Sequence, residues 1–188
     1  EYFNVRADIV VYGKVIGGGY PGAGAIGGRG DVMQLLDHIK YPDPRSRAFH
    51  GGTFVGNVVT VTAGYATVKY LAEHKSLYER AEELWDNVRR RVDRICSSGR
   101  ERLCWATGAS SMTGIHFTNV KPRRASEVYG ERWGRHVEEA LNLYARLNGV
   151  LYLSSKTAHL LPSLVHGELE AKTFIDVLEG FIARIARD

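Results

Sequence analysis

The sequence predicts an α/β protein in two parts. Residues 1–75 read as the C-terminal part of a large α/β domain, and residues 76–188 as a smaller C-terminal α+β domain whose sheet is covered by helices. Three observations predict this. A β-branched and aromatic run, Ile9-Val10-Val11-Tyr12, leads into residues 17–28, where seven of twelve residues are glycine. Two long segments carry apolar residues every three or four positions, the period of an amphipathic helix. From Trp105 onward, strand-like and helix-like segments alternate.

Residues 8–12 read as a short buried strand, because the apolar run is unbroken. Gly13-Lys14 stands at its end. Ala23, Ala25 and Ile26 interrupt the glycine-rich stretch, unlike a flexible Gly/Ser linker, so it reads as tight turns and a short strand where backbones pack closely. Residues 31–36 read as a short helix capped by Asp31. Residues 40–47, with Pro42 and Pro44 among charges, read as a surface loop. His50-Gly51-Gly52-Thr53-Phe54-Val55-Gly56-Asn57 is a second glycine-rich turn. The small and β-branched residues of 58–71 read as a buried helix, with Ala63, Gly64, Ala66 and Thr67 permitting close packing.

In the second part, Ser76 and Glu79 read as a capping box. The helix it opens carries Leu77, Ala81, Leu84, Val88, Val92 and Ile95 on one face and ends near Gly99. Residues 105–117 read as one or two strands with a turn near Gly108-Ala109-Ser110. Residues 126–148 read as a second amphipathic helix with Trp133, Val137, Leu141, Tyr144 and Leu147 inward and Gly149 as its stop. Residues 150–153 and 160–165 read as strands. Residues 168–186 read as the last helix, with Phe174, Leu178, Phe181 and Ile185 inward.

Composition narrows the function. No apolar run approaches the roughly 20 residues a membrane span needs, so no membrane partner is expected. The net charge of +4 is interspersed with acids: Arg89-Arg90-Arg91 stands among Glu82, Glu83, Asp86 and Asp93. That pattern reads as a solvated, salt-bridged helix face, and no nucleic-acid partner is expected. Cys96 and Cys104 are expected as two free thiols in a reducing cytoplasm, ahead of a bridge between them. The seven histidines form no H-x-H or H-E-x-x-H pair, so no metal site is expected. The opening Glu1-Tyr2-Phe3-Asn4 is neither a signal peptide nor a start methionine, and an upstream segment is expected.

Lys14 is the candidate for chemistry. Val10, Val11, Val15 and Ile16 flank it. Partial desolvation there would favour the neutral amine, the form that attacks an aldehyde to make a Schiff base. A solvent-facing lysine is the alternative. A phosphate loop does not fit, because the lysine precedes the glycines instead of following them.

The string Asp8-Ile9-Val10-Val11-Tyr12-Gly13-Lys14-Val15-Ile16-Gly17-Gly18-Gly19-Tyr20-Pro21 resembles the cofactor-lysine motif of the class III aminotransferases. Further segments are similar in order: Ala25-Ile26-Gly27-Gly28-Arg29, Gly51-Gly52-Thr53-Phe54-Val55-Gly56-Asn57, Ser111-Met112-Thr113-Gly114-Ile115-His116-Phe117-Thr118 and Gly149-Val150-Leu151-Tyr152-Leu153. The last two resemble the glutamate-1-semialdehyde aminomutase subgroup. The resemblance implies the fold of type I pyridoxal-phosphate-dependent transferases and the cofactor pyridoxal 5'-phosphate, held by Lys14 as a Schiff base. It also implies proton transfer by Lys14, and phosphate binding by Gly52 and Thr53, the threonine contributed by the second subunit of a homodimer. The substrate would be a small amino or keto compound. The sequence departs from the aminomutases in several places. The turn after Pro21 is one residue longer, and Ser154-Ser155 replaces a proline-containing turn. Ala158, followed by His159, stands where those enzymes carry a substrate-facing glutamate. The family's pyridinium-binding aspartate lies upstream of the lysine, and Asp8 is not at its position. Three readings follow: an aminotransferase related to the aminomutases, an aminomutase proper, or a non-catalytic fragment with part of a site.

Overall fold

Ile9, Val10, Val11 and Tyr12 favour extended backbone because branching at Cβ or an aromatic ring disfavours the helical turn. They form β1 (Ile9–Gly13), which pairs antiparallel with β2 (Gly24–Gly28) in a register running from Ile9↔Gly28 to Gly13↔Gly24. The computed structural model describes residues 2–99, 101–128, 134–152 and 158–186. The chain divides into two units, Glu1–His74 and Lys75–Asp188.

In the first unit, a 3-10 turn over Lys14–Gly17 leaves β1, and Gly18 ends it in the left-handed conformation. After β2 come α1 (Gly30–Met33), a 3-10 turn (Gln34–Leu36), an exposed loop holding a further 3-10 turn (Pro44–Ser46), and α2 (Val58–Glu73). Asp31 does not cap α1. Arg29 holds the N-cap position, and its guanidinium binds the Asp31 carboxylate at 2.7 Å and Asp8 at 2.8 Å. Asp31 instead sits in the first turn, where a negative charge suits the helix dipole.

The strand and the long helix were both expected to be buried, and in this chain they are not. All five residues of β1 are exposed, and α2 buries only Gly64. An apolar run reports the environment a segment requires. It does not guarantee that the same stretch of chain supplies it. The described residues bury no residue of β1, so Val10 and Val11 stay exposed, as do Val58, Val59, Val61 and Val68 of α2.

The second unit builds its own core. α3 (Ser76–Cys96) lays Ala81, Trp85, Val88, Val92 and Cys96 inward. These pack with Phe174, Ile175, Leu178, Phe181 and Ile182 of α5 (Glu168–Ile185), and with Leu141 and Ala145 of α4 (Gly134–Leu147). β3 (Trp105–Ala109), β4 (Met112–His116) and β5 (Ala158–Leu160) form an antiparallel sheet in that order. Several expectations need correction. Lys75, not Ser76, is the N-cap of α3, and no side-chain cap forms there. Leu147 is exposed, because Ala145 takes the inward place in the last turn of α4. Residues 150–152 form no strand. Asn142 donates from its amide to the Tyr152 carbonyl, so a side chain rather than a neighbouring strand meets that backbone. Of the expected strand over 160–165 only Leu160 is in one, as the last residue of β5, and His166 closes a turn onto Ser163. Trp133, Leu153 and Ser154-Ser155 lie outside the described residues.

Arg89 is not merely part of a solvated face. Its guanidinium pairs with Asp86 and donates to the carbonyls of Ser110 (2.7 Å) and Met112 (3.0 Å), tying α3 to the β3–β4 turn. Cys96 and Cys104 are not free thiols. They form a disulfide between the end of α3 and the segment entering β3, and both are fully buried. The pairing withdraws free thiols as an argument for a reducing compartment. Around it, Leu103 N–H donates to the Cys96 carbonyl at 2.8 Å. Asp93 accepts from Arg102 and from the Ala106 N–H, both at 3.1 Å. The Arg102 guanidinium lies over the Trp105 ring, 4.0 Å from its centre. Among the described residues, no helix is long and apolar enough to cross a membrane.

His116 is buried on β4. Its Nε2 meets the Thr107 hydroxyl at 2.7 Å, and its Nδ1 has no partner. Burial holds its pKa below the ordinary 6.5. The unfolded chain therefore binds the imidazole proton more tightly than the folded one. Stability contributed by the neutral ring is complete above pH 6.5 and is lost as pH falls through the lowered folded value. Urea midpoints should decline over that interval in the native protein, and His116→Gln should flatten the decline. An equal slope in the variant would assign it to other groups. Reduction of the disulfide should lower unfolding free energy by about 2–3 kcal/mol, the loop-entropy value for a ring of this size. Urea titration with and without reductant, with alkylation counting the thiols, measures it.

Candidate functional site

Gly13 approaches the turn fully extended (φ −152°, ψ −174°), and Lys14 then turns left-handed (φ 57°). That conformation costs an L-residue about 1–2 kcal/mol. It recurs here only at Asn4 and Ser110 among the described non-glycine residues. Two hydrogen bonds hold the turn: Gly18 N–H to the Val15 carbonyl at 2.9 Å and Tyr20 N–H to the Gly17 carbonyl at 3.1 Å. The Lys14 side chain is exposed, as are Val10, Val11 and Val15. The desolvation expected from its apolar flanks is not supplied by the described residues, which bury no residue of β1.

The turn rests on α2. A Cβ on Gly64 would stand 2.5 Å from the Ile16 carbonyl oxygen. A Cβ on Gly18 would stand 2.7 Å from Thr67 Oγ1 and 2.8 Å from the Ala63 carbonyl. The close packing expected of these small residues therefore has a definite object, the turn that carries Lys14.

The second glycine-rich turn leads into the start of α2. Val55 N–H reaches the Gly52 carbonyl and Asn57 N–H the Phe54 carbonyl, each at 3.1 Å. Asn57 caps the helix by accepting from Thr60 N–H at 3.1 Å. The amides of Gly52, Thr53, Phe54 and Gly56 have no main-chain acceptor among the described residues. These amides and the Thr53 hydroxyl are hydrogen-bond donors that the turn leaves available. A cleft of about 720 Å³ opens beside them, lined by Gly52 and Thr53 together with Tyr12, Ile26, His50 and Thr60, among others.

The structure thus brings Gly52 and Thr53 to one cleft with the β1–β2 hairpin, and Lys14 is not among the cleft's lining residues. Tyr12, His50 and Thr60 were not anticipated as lining residues. Their only sequence signal is position: Tyr12 two residues before Lys14, His50 directly before the double glycine, Thr60 three residues after Asn57. The Asn57 cap could have been read from an asparagine directly before an apolar helix. His159 lies half-buried on β5, paired with Gly114, in the second unit.

The solved structures on which this chain superposes are transaminases, and they place it in the type I pyridoxal-phosphate-dependent transaminase fold. The chain belongs to the class-III aminotransferase family, whose pattern matches residues 1–182. It is 31% identical over 179 residues to glutamate-1-semialdehyde 2,1-aminomutase of Caldicellulosiruptor saccharolyticus, covering 95% of this chain and 40% of that protein. Among solved structures it superposes on a β-phenylalanine aminotransferase from Variovorax paradoxus with a TM-score of 0.79 and 27% identity, over 96% of this chain and 39% of that one. It also superposes on an omega-transaminase from Sphaerobacter thermophilus with a TM-score of 0.78 and 27% identity, over the same shares. The chain therefore spans about 40% of the length of each of these three relatives.

Proposed function

We propose that this chain carries the lysine of a pyridoxal-phosphate-dependent aminotransferase related to the glutamate-1-semialdehyde aminomutases. The observation that carries the reading is the left-handed Lys14 at the end of β1, an exposed amine held on a short hydrogen-bonded turn. Backbone conformations of this kind persist where the surroundings hold them, and they cluster at functional sites. The residues present fit the cofactor. Lys14 offers the amine for its aldehyde, and Thr53 with the unpaired amides beside it offers hydrogen bonds to its phosphate.

Pyridoxal 5'-phosphate, when bound, supplies the electron sink that lets a C–H bond next to nitrogen be broken. The chain's own residues do the rest. Lys14 would hold the cofactor through its amine, and that amine, once free, would take up and return a proton at Nζ. Thr53 and its neighbouring amides hold the phosphate end fixed, so that the lysine and the reacting carbon keep their alignment. Lys14 does not line the cleft of Thr53 within one chain. We adopt the homodimer that the resemblance implies, in which each chain lends its Thr53 turn to the other chain's lysine. A small amino or keto compound is the substrate, and the cytoplasm is the proposed compartment.

A second reading, the aminomutase itself, draws support from the 31% identity to such an enzyme. Against it stands Ala158 at the position aligned with the aminomutase glutamate. The two separate on whether an external amino donor is consumed. A non-catalytic fragment is the third reading, and a chain that stays colourless with added cofactor would favour it.

The experiment is borohydride reduction of the cofactor-loaded chain followed by peptide mass spectrometry. The label is expected on the Lys14 peptide and absent in Lys14→Ala. A label on any other peptide, or on none, overturns the reading. Thr53→Ala should weaken cofactor affinity by about tenfold or more, since a hydrogen bond to a charged group contributes about 1.5–3 kcal/mol. Absorbance titration measures this, and unchanged affinity would remove Thr53 from the phosphate site.

A further inference from the structure

We propose that Gly64 is the positioning residue for Lys14. The missing side chain at this place on α2 lets the helix meet the Ile16 carbonyl directly and so sets where the lysine amine stands. The inference rests on the reading of Lys14 given above.

Glycine is the least favourable ordinary residue in a helix interior, and α2 runs four residues or more on either side of position 64. The helix gains nothing from it, so the gain lies at the contact. A Cβ there would stand 2.5 Å from the Ile16 oxygen, which is main chain and has no rotamer by which to withdraw. The turn would have to retreat by roughly 1 Å to restore ordinary contact.

The displacement would reach the lysine. Ile16 lies inside the four-residue 3-10 turn that starts at Lys14, and the Gly18 N–H to Val15 carbonyl bond closes that turn into one unit. The turn cannot pivot around the obstruction either. On its far side Gly18 rests against Thr67 Oγ1 and the Ala63 carbonyl, and Gly17 is buried against Ala23. Ala63, Gly64 and Thr67 share one face of α2 by the spacing of three and four, so the turn is clamped at two points along the helix. Lys14 acts through its amine, and its place depends on both clamps.

The test uses the full chain with pyridoxal 5'-phosphate and four proteins: wild type, Gly64→Ala, Thr67→Leu and Thr67→Ser. Leucine at 67 presses on Gly18 from the helix without weakening the helix itself, because leucine is a strong helix former. The readouts are the rate at which borohydride fixes the cofactor on the Lys14 peptide, measured across pH, and helix content. Gly64→Ala and Thr67→Leu are expected to slow labelling by on the order of ten- to a hundredfold and to displace its pH profile, with helix content retained. Thr67→Ser is expected to match the wild type. Should Gly64→Ala lose its helix, Thr67→Leu decides. A folded Gly64→Ala or Thr67→Leu labelled at the wild-type rate and with the wild-type pH profile overturns the positioning role while leaving the lysine assignment intact. A wild type unlabelled at Lys14 overturns both.

Discussion

The first unit depends on one contact between two pieces of main chain. Helix α2 can lie against the lysine turn only because Gly64 presents no side chain to the Ile16 carbonyl and Gly18 presents none to Thr67 and Ala63. Everything else in this unit is lightly held. The β1–β2 sheet has two strands, the loop between β2 and α2 is exposed, and most of α2 faces outward. The left-handed Lys14 is an unfavourable local state for a non-glycine residue. It persists because its turn is closed by hydrogen bonds on one side and seated on a helix backbone on the other.

The second unit is organised on the opposite principle. Its stability comes from a shared apolar interior, with Trp85, Val92, Leu141, Ile175 and Leu178 meeting from three helices and the sheet beneath them. Polar groups do the joining at the edges. Arg89 links α3 to a hairpin turn, and Asp93 with Arg102 joins the end of the same helix to β3, next to the disulfide. One unit carries the candidate lysine on a strained turn with little interior of its own. The other carries an interior and, among its described residues, no comparable backbone strain beyond Ser110 at a hairpin turn.

How much of this could be read from residues alone follows from the range of each interaction. Local periodicity places α3 and α5 and the inward Phe174, Leu178 and Phe181, because their apolar faces repeat with the helix. The motif around Lys14 marks a turn, because glycine there answers a local geometric need. Burial of β1 and α2 was misjudged, since a valine run cannot tell whether a covering layer lies within the same stretch of chain. The Cys96–Cys104 bridge was misjudged for a related reason: spacing alone does not reveal that the chain doubles back between the end of α3 and the start of β3. The cleft beside Thr53 had no signal beyond the glycines, since His50 and Tyr12 meet there only through the fold.

The two-stranded hairpin has a practical bearing on how the polypeptide behaves in solution. Each of its strands has one neighbour among the described residues, leaving rows of backbone donors and acceptors along both outer margins, next to outward valines. Such margins recruit further strands from other molecules. A further strand laid along either margin would pair those main-chain groups and cover the outward valines in one step.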